Sequence, residues 1–144
     1  MPTVTNVIEI SASPEAVWAV LADLPATRHW LPGVIRAHVD GDVRVCQMAD
    51  GQEVHERITD VSADHRRYRF EHLRVPLPVR QSSGTFAVTP SATPDTAVVT
   101  LTTSFEPLDP TGIEQLADII ERAYQRSLES LRRYLETKQP WDAS

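Results

Sequence analysis

The stretch from Thr111 to Thr137 constrains this chain more than any other, because its apolar residues recur three or four positions apart. Ile113, Leu116, Ile120, Tyr124, Leu128, Leu131 and Leu135 make one stripe along a long amphipathic helix. Asp109-Pro110 leads into it, and Thr111 with Glu114 three residues later has the spacing of a capping box. One helix with so wide an apolar face needs one broad surface to lie on. The remaining sequence supplies it as strands.

The first strand reads Thr3 to Ser11, with Val4, Ile8 and Ile10 alternating against Thr5, Val7 and Glu9. Ser13-Pro14-Glu15 then starts a helix, with Ser13 as its N-cap, Pro14 in the first turn and Glu15 favourable to the dipole. That helix carries Val17, Trp18, Val20 and Leu21, and Pro25 ends it. A short second helix or turn covers about Ala26 to Leu31, before Pro32-Gly33. Strands follow at about Val34–Asp40, Val43–Ala49, Gln52–Ser62, Arg66–Val75, Arg80–Pro90 and Thr96–Glu106. Asp40-Gly41-Asp42, Asp50-Gly51 and Ala63-Asp64 read as tight hairpin turns, while Pro76-Leu77-Pro78 reads as a stiffer loop.

Sequential hairpins imply an antiparallel sheet with one buried face. The expected fold is therefore α+β: one domain over residues 1–144, with a seven-stranded sheet curved around the terminal helix and two short helices after the first strand. Such a sheet generally leaves a cavity where it diverges from the helix.

Composition excludes several functions. A net charge of −6 lacks the basic surface that nucleic acid or an anionic membrane face requires, so neither is an expected partner. The single Cys46 cannot form an internal disulfide, and no signal-like start or membrane-length apolar run is visible. A cytoplasmic location is the expectation. His29, His38, His55, His65 and His72 are scattered without ligand spacing, so no metal is expected. No phosphate loop or dinucleotide fingerprint is present, so no nucleotide cofactor is expected either.

Several stretches, in order, resemble the START/Bet v 1-like (SRPBCC) superfamily with its helix-grip fold. They are Ile10-Ser11-Ala12-Ser13-Pro14-Glu15-Ala16-Val17-Trp18, Trp30-Leu31-Pro32-Gly33-Val34, Asp50-Gly51 before Glu56-Arg57, Pro76-Leu77-Pro78-Val79 and Phe105-Glu106-Pro107. More narrowly, the chain is similar to the polyketide cyclase/dehydrase and lipid-transport group, which also includes plant abscisic acid receptors. The resemblance implies an internal cavity that takes a hydrophobic small molecule or lipid. The receptors' ligand-anchoring lysine is replaced here by Leu31, which argues against a hormone receptor.

Strand alternation proposes which residues face that cavity. Arg44, Cys46 and Met48 share one face, as do Val54, Glu56 and Ile58, then Tyr68, Phe70 and His72. Arg80, Ser82, Gly84, Phe86 and Val88 share parity, and Val99, Leu101, Thr103 and Phe105 complete the set. Glu56 is the sharpest candidate, because an unpaired carboxylate between Val54 and Ile58 would be costly. It reads as a general acid/base or ligand anchor, or else as half of a buried ion pair with Arg44 or Arg80. His72 could move protons beside it, and Arg80 could hold an oxyanion; their bland alternatives are a satisfied core histidine and a solvated rim. Tyr124 and Ile120 would line the helix side, where Ala117, Ala123 and Ser127 leave gaps.

The leading expectation is a cyclase or dehydratase acting on a small oxygenated substrate. Glu56, His72 and Arg80 are its catalytic candidates. Arg44, Met48, Tyr68, Phe70, Ser82, Phe86, Leu101, Phe105, Ile120 and Tyr124 are its ligand contacts. The alternatives are a non-catalytic carrier or sensor of a hydrophobic molecule, and an interaction module with an incidental cavity. Monomer and homodimer both remain open.

Overall fold

The computed structural model describes residues 1–141. Strand β1 (Thr3–Ile10) buries every second residue and leads into α1 (Pro14–Ala22) and a 3₁₀ helix (Leu24–His29). Strands β2 (Val34–Asp40), β3 (Val43–Met48), β4 (Glu53–Ser62), β5 (Arg67–Arg74), β6 (Val79–Pro90) and β7 (Ala97–Pro107) follow, then α2 (Ile113–Thr137). The strands form one antiparallel sheet in the order β1-β7-β6-β5-β4-β3-β2. Both the fold class and the element order agree with the sequence reading.

Local chemistry explains the element ends. The Ser13 hydroxyl oxygen accepts a hydrogen bond from the Ala16 N–H at 3.1 Å, capping α1 as expected. The expected capping box of α2 does not form. Asp109 takes the role instead, its carboxylate accepting from the Thr111 N–H (3.0 Å) and hydroxyl (2.8 Å). Thr111 is thereby engaged in a 3₁₀ turn, Pro110–Gly112, and α2 begins after it at Ile113. At the other end Lys138 adopts a left-handed conformation, and its N–H closes on the Tyr134 carbonyl at 2.8 Å.

Helix α2 runs along β1 and β7, so the far half of the sheet curves away from it. Asn6 locks the near side. Its amide nitrogen donates to the Glu121 carbonyl at 3.0 Å and to the Gln125 side chain at 3.1 Å. The core between the layers has two parts. Trp30, Tyr68, Phe70 and Phe86 form an aromatic cluster, with Trp30 edge-on to Phe86 at 5.9 Å. Val4, Phe105, Leu116 and Ile120 pack as a smaller group toward the start of α2.

Gly84 is required by this packing. A Cβ there would collide with the Phe70 ring and approach Thr103 Cγ2 to 3.0 Å. Its absence lets the Phe70 ring lie across β6.

Candidate functional site

A cavity of about 220 Å³ opens where α2 and the sheet separate. Cys46 and Met48 of β3 and Val54 of β4 form its sheet wall. Ile119, Ile120, Ala123, Tyr124 and Ser127 form its helix wall. Leu31, Pro32, Val75, Pro76 and Leu77 complete the lining, and Glu56 and His72 are its carboxylate and imidazole. The predicted gaps at Ala123 and Ser127 are therefore real, whereas Ala117 packs against the Phe105 group instead.

Glu56 and Arg44 face each other across the β3–β4 ladder, and both are buried. Arg44 Nε donates to Glu56 Oε1 at 3.0 Å. The guanidinium Nη1 also donates to the Thr27 hydroxyl (3.2 Å) and the Tyr68 hydroxyl (3.3 Å), and the Arg44 fork sits 5.7 Å above the Tyr68 ring. On the other side His72 Nε2 lies 3.4 Å from Glu56 Oε2, and His72 Nδ1 and the Ser82 hydroxyl are hydrogen-bonded at 2.9 Å. With its Nε2–H toward Glu56, the imidazole accepts from Ser82 at Nδ1. A continuous polar chain thus runs from Thr27 and Tyr68 through Arg44, Glu56 and His72 to Ser82.

The electrostatics follow from this pairing. Burial alone would push the Glu56 carboxyl up, but Arg44 and His72 outweigh it and hold the group down to about 2. Glu56 is ionised at neutral pH and is a weak base. Burial drives the neighbouring Cys46 thiol up to about 11, with Arg44 opposing, so the sulfur on the cavity wall is an unreactive thiol. Burial likewise raises Tyr124, with the Glu56 charge adding to it, so its hydroxyl keeps its proton.

The structure brings Glu56, His72, Met48, Ile120 and Tyr124 together around the cavity. It does not bring Arg80 there. The β6–β7 register shifts between Val79 and Gln81, and this irregularity turns Arg80 outward, 62% exposed and 3.9 Å from Glu106. Arg44, Tyr68, Phe70, Ser82, Phe86, Leu101 and Phe105 are buried as expected, but they lie off the cavity. The aromatic cluster and the ion pair fill that part of the concave face, so the open space is smaller than alternation implied.

Ser82, His72 and Glu56 have the residue types of a hydrolase relay, yet the arrangement lacks its other half. Ser82 is buried off the cavity, within the β6–β7 ladder opposite Phe105, so its hydroxyl does not face the space where a substrate would lie. Among the described residues, no group of His, Cys, Asp and Glu side chains is placed to hold a metal. Sequence reasoning missed Thr27 and Asn6. Asn6 had a readable signal, since it shares parity with the buried Val4 and Ile8. Thr27, in a 3₁₀ helix, had none.

A curved antiparallel sheet gripping one long helix around such a cavity defines a helix-grip protein of the SRPBCC class. The chain belongs to the family described as polyketide cyclase / dehydrase and lipid transport, which matches residues 1–136. XoxI from Bacillus cereus has a similar structure, with 24% identity, 96% of this chain and 98% of its own covered, and a TM-score of 0.86. The di-domain ARO/CYC BexL from the BE-7585A biosynthetic pathway has 20% identity over 94% of this chain and 47% of its own, with a TM-score of 0.84. Norcoclaurine synthase from Thalictrum flavum, in complex with dopamine and hydroxybenzaldehyde, has 18% identity over 98% and 89% respectively, with a TM-score of 0.73. Identities this low establish a shared fold. No curated protein matches the chain.

Proposed function

We propose that the protein binds a small, largely apolar molecule in this cavity and carries or presents it unchanged. One observation carries the reading: the charged groups at the site are spent on one another, and what remains for a ligand is an apolar wall. The Arg44–Glu56–His72–Ser82 chain holds the sheet in shape, with Glu56 too weak a base to draw a proton from carbon. The volume sets the ligand's size. A cavity of about 150 Å³ accommodates benzene and drug-sized pockets begin near 300 Å³, so about 220 Å³ suits one or two rings, with any tail leaving by the mouth.

Native mass spectrometry of the purified protein, followed by solvent extraction, is expected to show a retained small molecule released without chemical change. Ser127→Leu, which fills the buried helix side of the cavity, should abolish retention while preserving the fold. A protein that retains nothing and takes up no apolar probe at millimolar concentration overturns the reading.

A second reading rests on His72, whose ring is on the cavity wall beside a carboxylate. There the imidazole would shuttle a proton in a cyclisation or dehydration, with Glu56 fixing its orientation. Turnover of a retained compound that is lost in His72→Ala and in Glu56→Gln would favour catalysis over carriage.

A further inference from the structure

Tyr124 stands apart from the other polar groups of the cavity. Its ring packs against Phe70 on the helix side, with centroids 6.3 Å apart. Among the described residues its hydroxyl has no hydrogen-bond partner, and it is not among the polar atoms sealed in the core. Tyr124 lines the cavity, and its hydroxyl is a protonated phenol that can donate. Buried or half-buried hydroxyls are normally satisfied, so an unspent donor in an apolar wall marks the place of an acceptor. The other polar side chains are already engaged. Ser127 donates to the Ala123 carbonyl at 3.0 Å, Glu56 is held by Arg44 and His72, and His72 is held by Ser82.

Charge restricts the ligand further. Among the described residues no lysine or arginine lines the cavity, and the guanidinium that neutralises Glu56 is buried off its wall. A ligand anion entering here would shed its water, meet the Glu56 carboxylate and find no free cation. An uncharged ligand meets no such penalty.

We propose that the cavity selects a neutral ring compound bearing a carbonyl oxygen, with Tyr124 donating to that oxygen, and rejects the corresponding carboxylic acid in its ionised form. The proposal rests on the ligand-binding reading above and names the chemistry it would recognise. Tyr124 is then the specificity residue, and the paired Glu56 is the charge filter.

Three probes of one ring size separate the contributions: indane, 1-indanone and indane-1-carboxylate, titrated calorimetrically into the full chain at pH 7. Indanone is expected to bind about tenfold more tightly than indane, and the carboxylate at least tenfold more weakly than indane. Tyr124→Phe should erase the ketone's advantage while leaving indane affinity and the thermal midpoint within error. Equal affinities for indane and indanone, or a preference for the carboxylate, overturn the selectivity and leave the cavity reading standing. Binding of none of the three to wild type overturns both.

Discussion

Glu56 carries a charge in a place where burial alone would remove it, and the cause is two neighbours, Arg44 first and His72 beside it. Replacing Glu56 with Gln leaves that guanidinium buried without its counterion, and losses of this kind cost about 3–5 kcal/mol. Glu56→Gln is therefore expected to fall by that order in urea unfolding at pH 7. The pH dependence has a definite sign. The carboxyl titrates at about 2 in the fold against 4.5 ordinarily, so its contribution is complete above 4.5 and lost as pH falls toward 2. The gap between wild type and Glu56→Gln should narrow across that window; a gap constant with pH would show that the charge of Glu56 is not what the fold uses. Arg80 is the opposite case, exposed and weakly paired. Arg80→Ala is expected to change stability by less than about 0.5 kcal/mol and ligand retention not at all, measured by the same titrations. Parity put Arg80 beside Glu56 because alternation assumes an unbroken pleat, and an irregularity at Val79/Gln81 leaves no mark in residue types. Parity found Arg44 and Glu56 because the β3–β4 ladder is regular through them, and it found His72 because the β4–β5 irregularity between His55 and Glu56 falls just beyond the Glu56–His72 pair rather than inside the Tyr68–His72 run.

Strand and helix boundaries were legible wherever chemistry at the ends was local. Ser13-Pro14 marks α1 because capping needs only a hydroxyl and the free N–H groups beside it. The start of α2 was less so, since the Asp109 carboxylate takes the Thr111 N–H that a capping box would give to Glu114, and engages the Thr111 hydroxyl as well. How much of the concave face stays open was not legible at all, because that depends on how β5 and β6 pack across each other. The pair Phe70–Gly84 shows this. The two residues are directly opposite in the β5–β6 ladder, and the ring occupies the space of the missing side chain. Gly84→Ala must displace Phe70, and overpacking of this kind costs about 1–3 kcal/mol. The ring's neighbour on the cavity side is Tyr124, so displacement moves toward the ligand space. Gly84→Ala is thus expected to lower the thermal midpoint and weaken indanone binding together. Loss of stability with unchanged affinity would mean the ring relaxes away from the cavity.

The molecule as a whole is a curved sheet packed along a helix, with one tie from the sheet to that helix and another from the chain beyond it. Asn6 ties β1 to the middle of α2. Past the end of α2, the chain returns to the turn before β2. There the Trp141 indole N–H donates to the carbonyls of Arg28 (2.7 Å) and Val34 (3.1 Å), and its backbone N–H donates to that of His29 (3.1 Å). These acceptors bracket Leu31 and Pro32, which form part of the cavity lining. Trp141 therefore holds both feet of a turn that lines the cavity. Removing the indole frees that turn without touching the core, since Trp141 belongs to neither buried cluster. In Trp141→Ala, the amides of Leu31 and Val34, bonded only within the turn and the 3₁₀ helix before it, should exchange hydrogen faster. Amides in the centre of the sheet, in β5 to β7, should keep wild-type protection, and ligand release should accelerate. Faster exchange throughout the sheet would instead make Trp141 a part of global stability, and the turn would then open only with the whole fold.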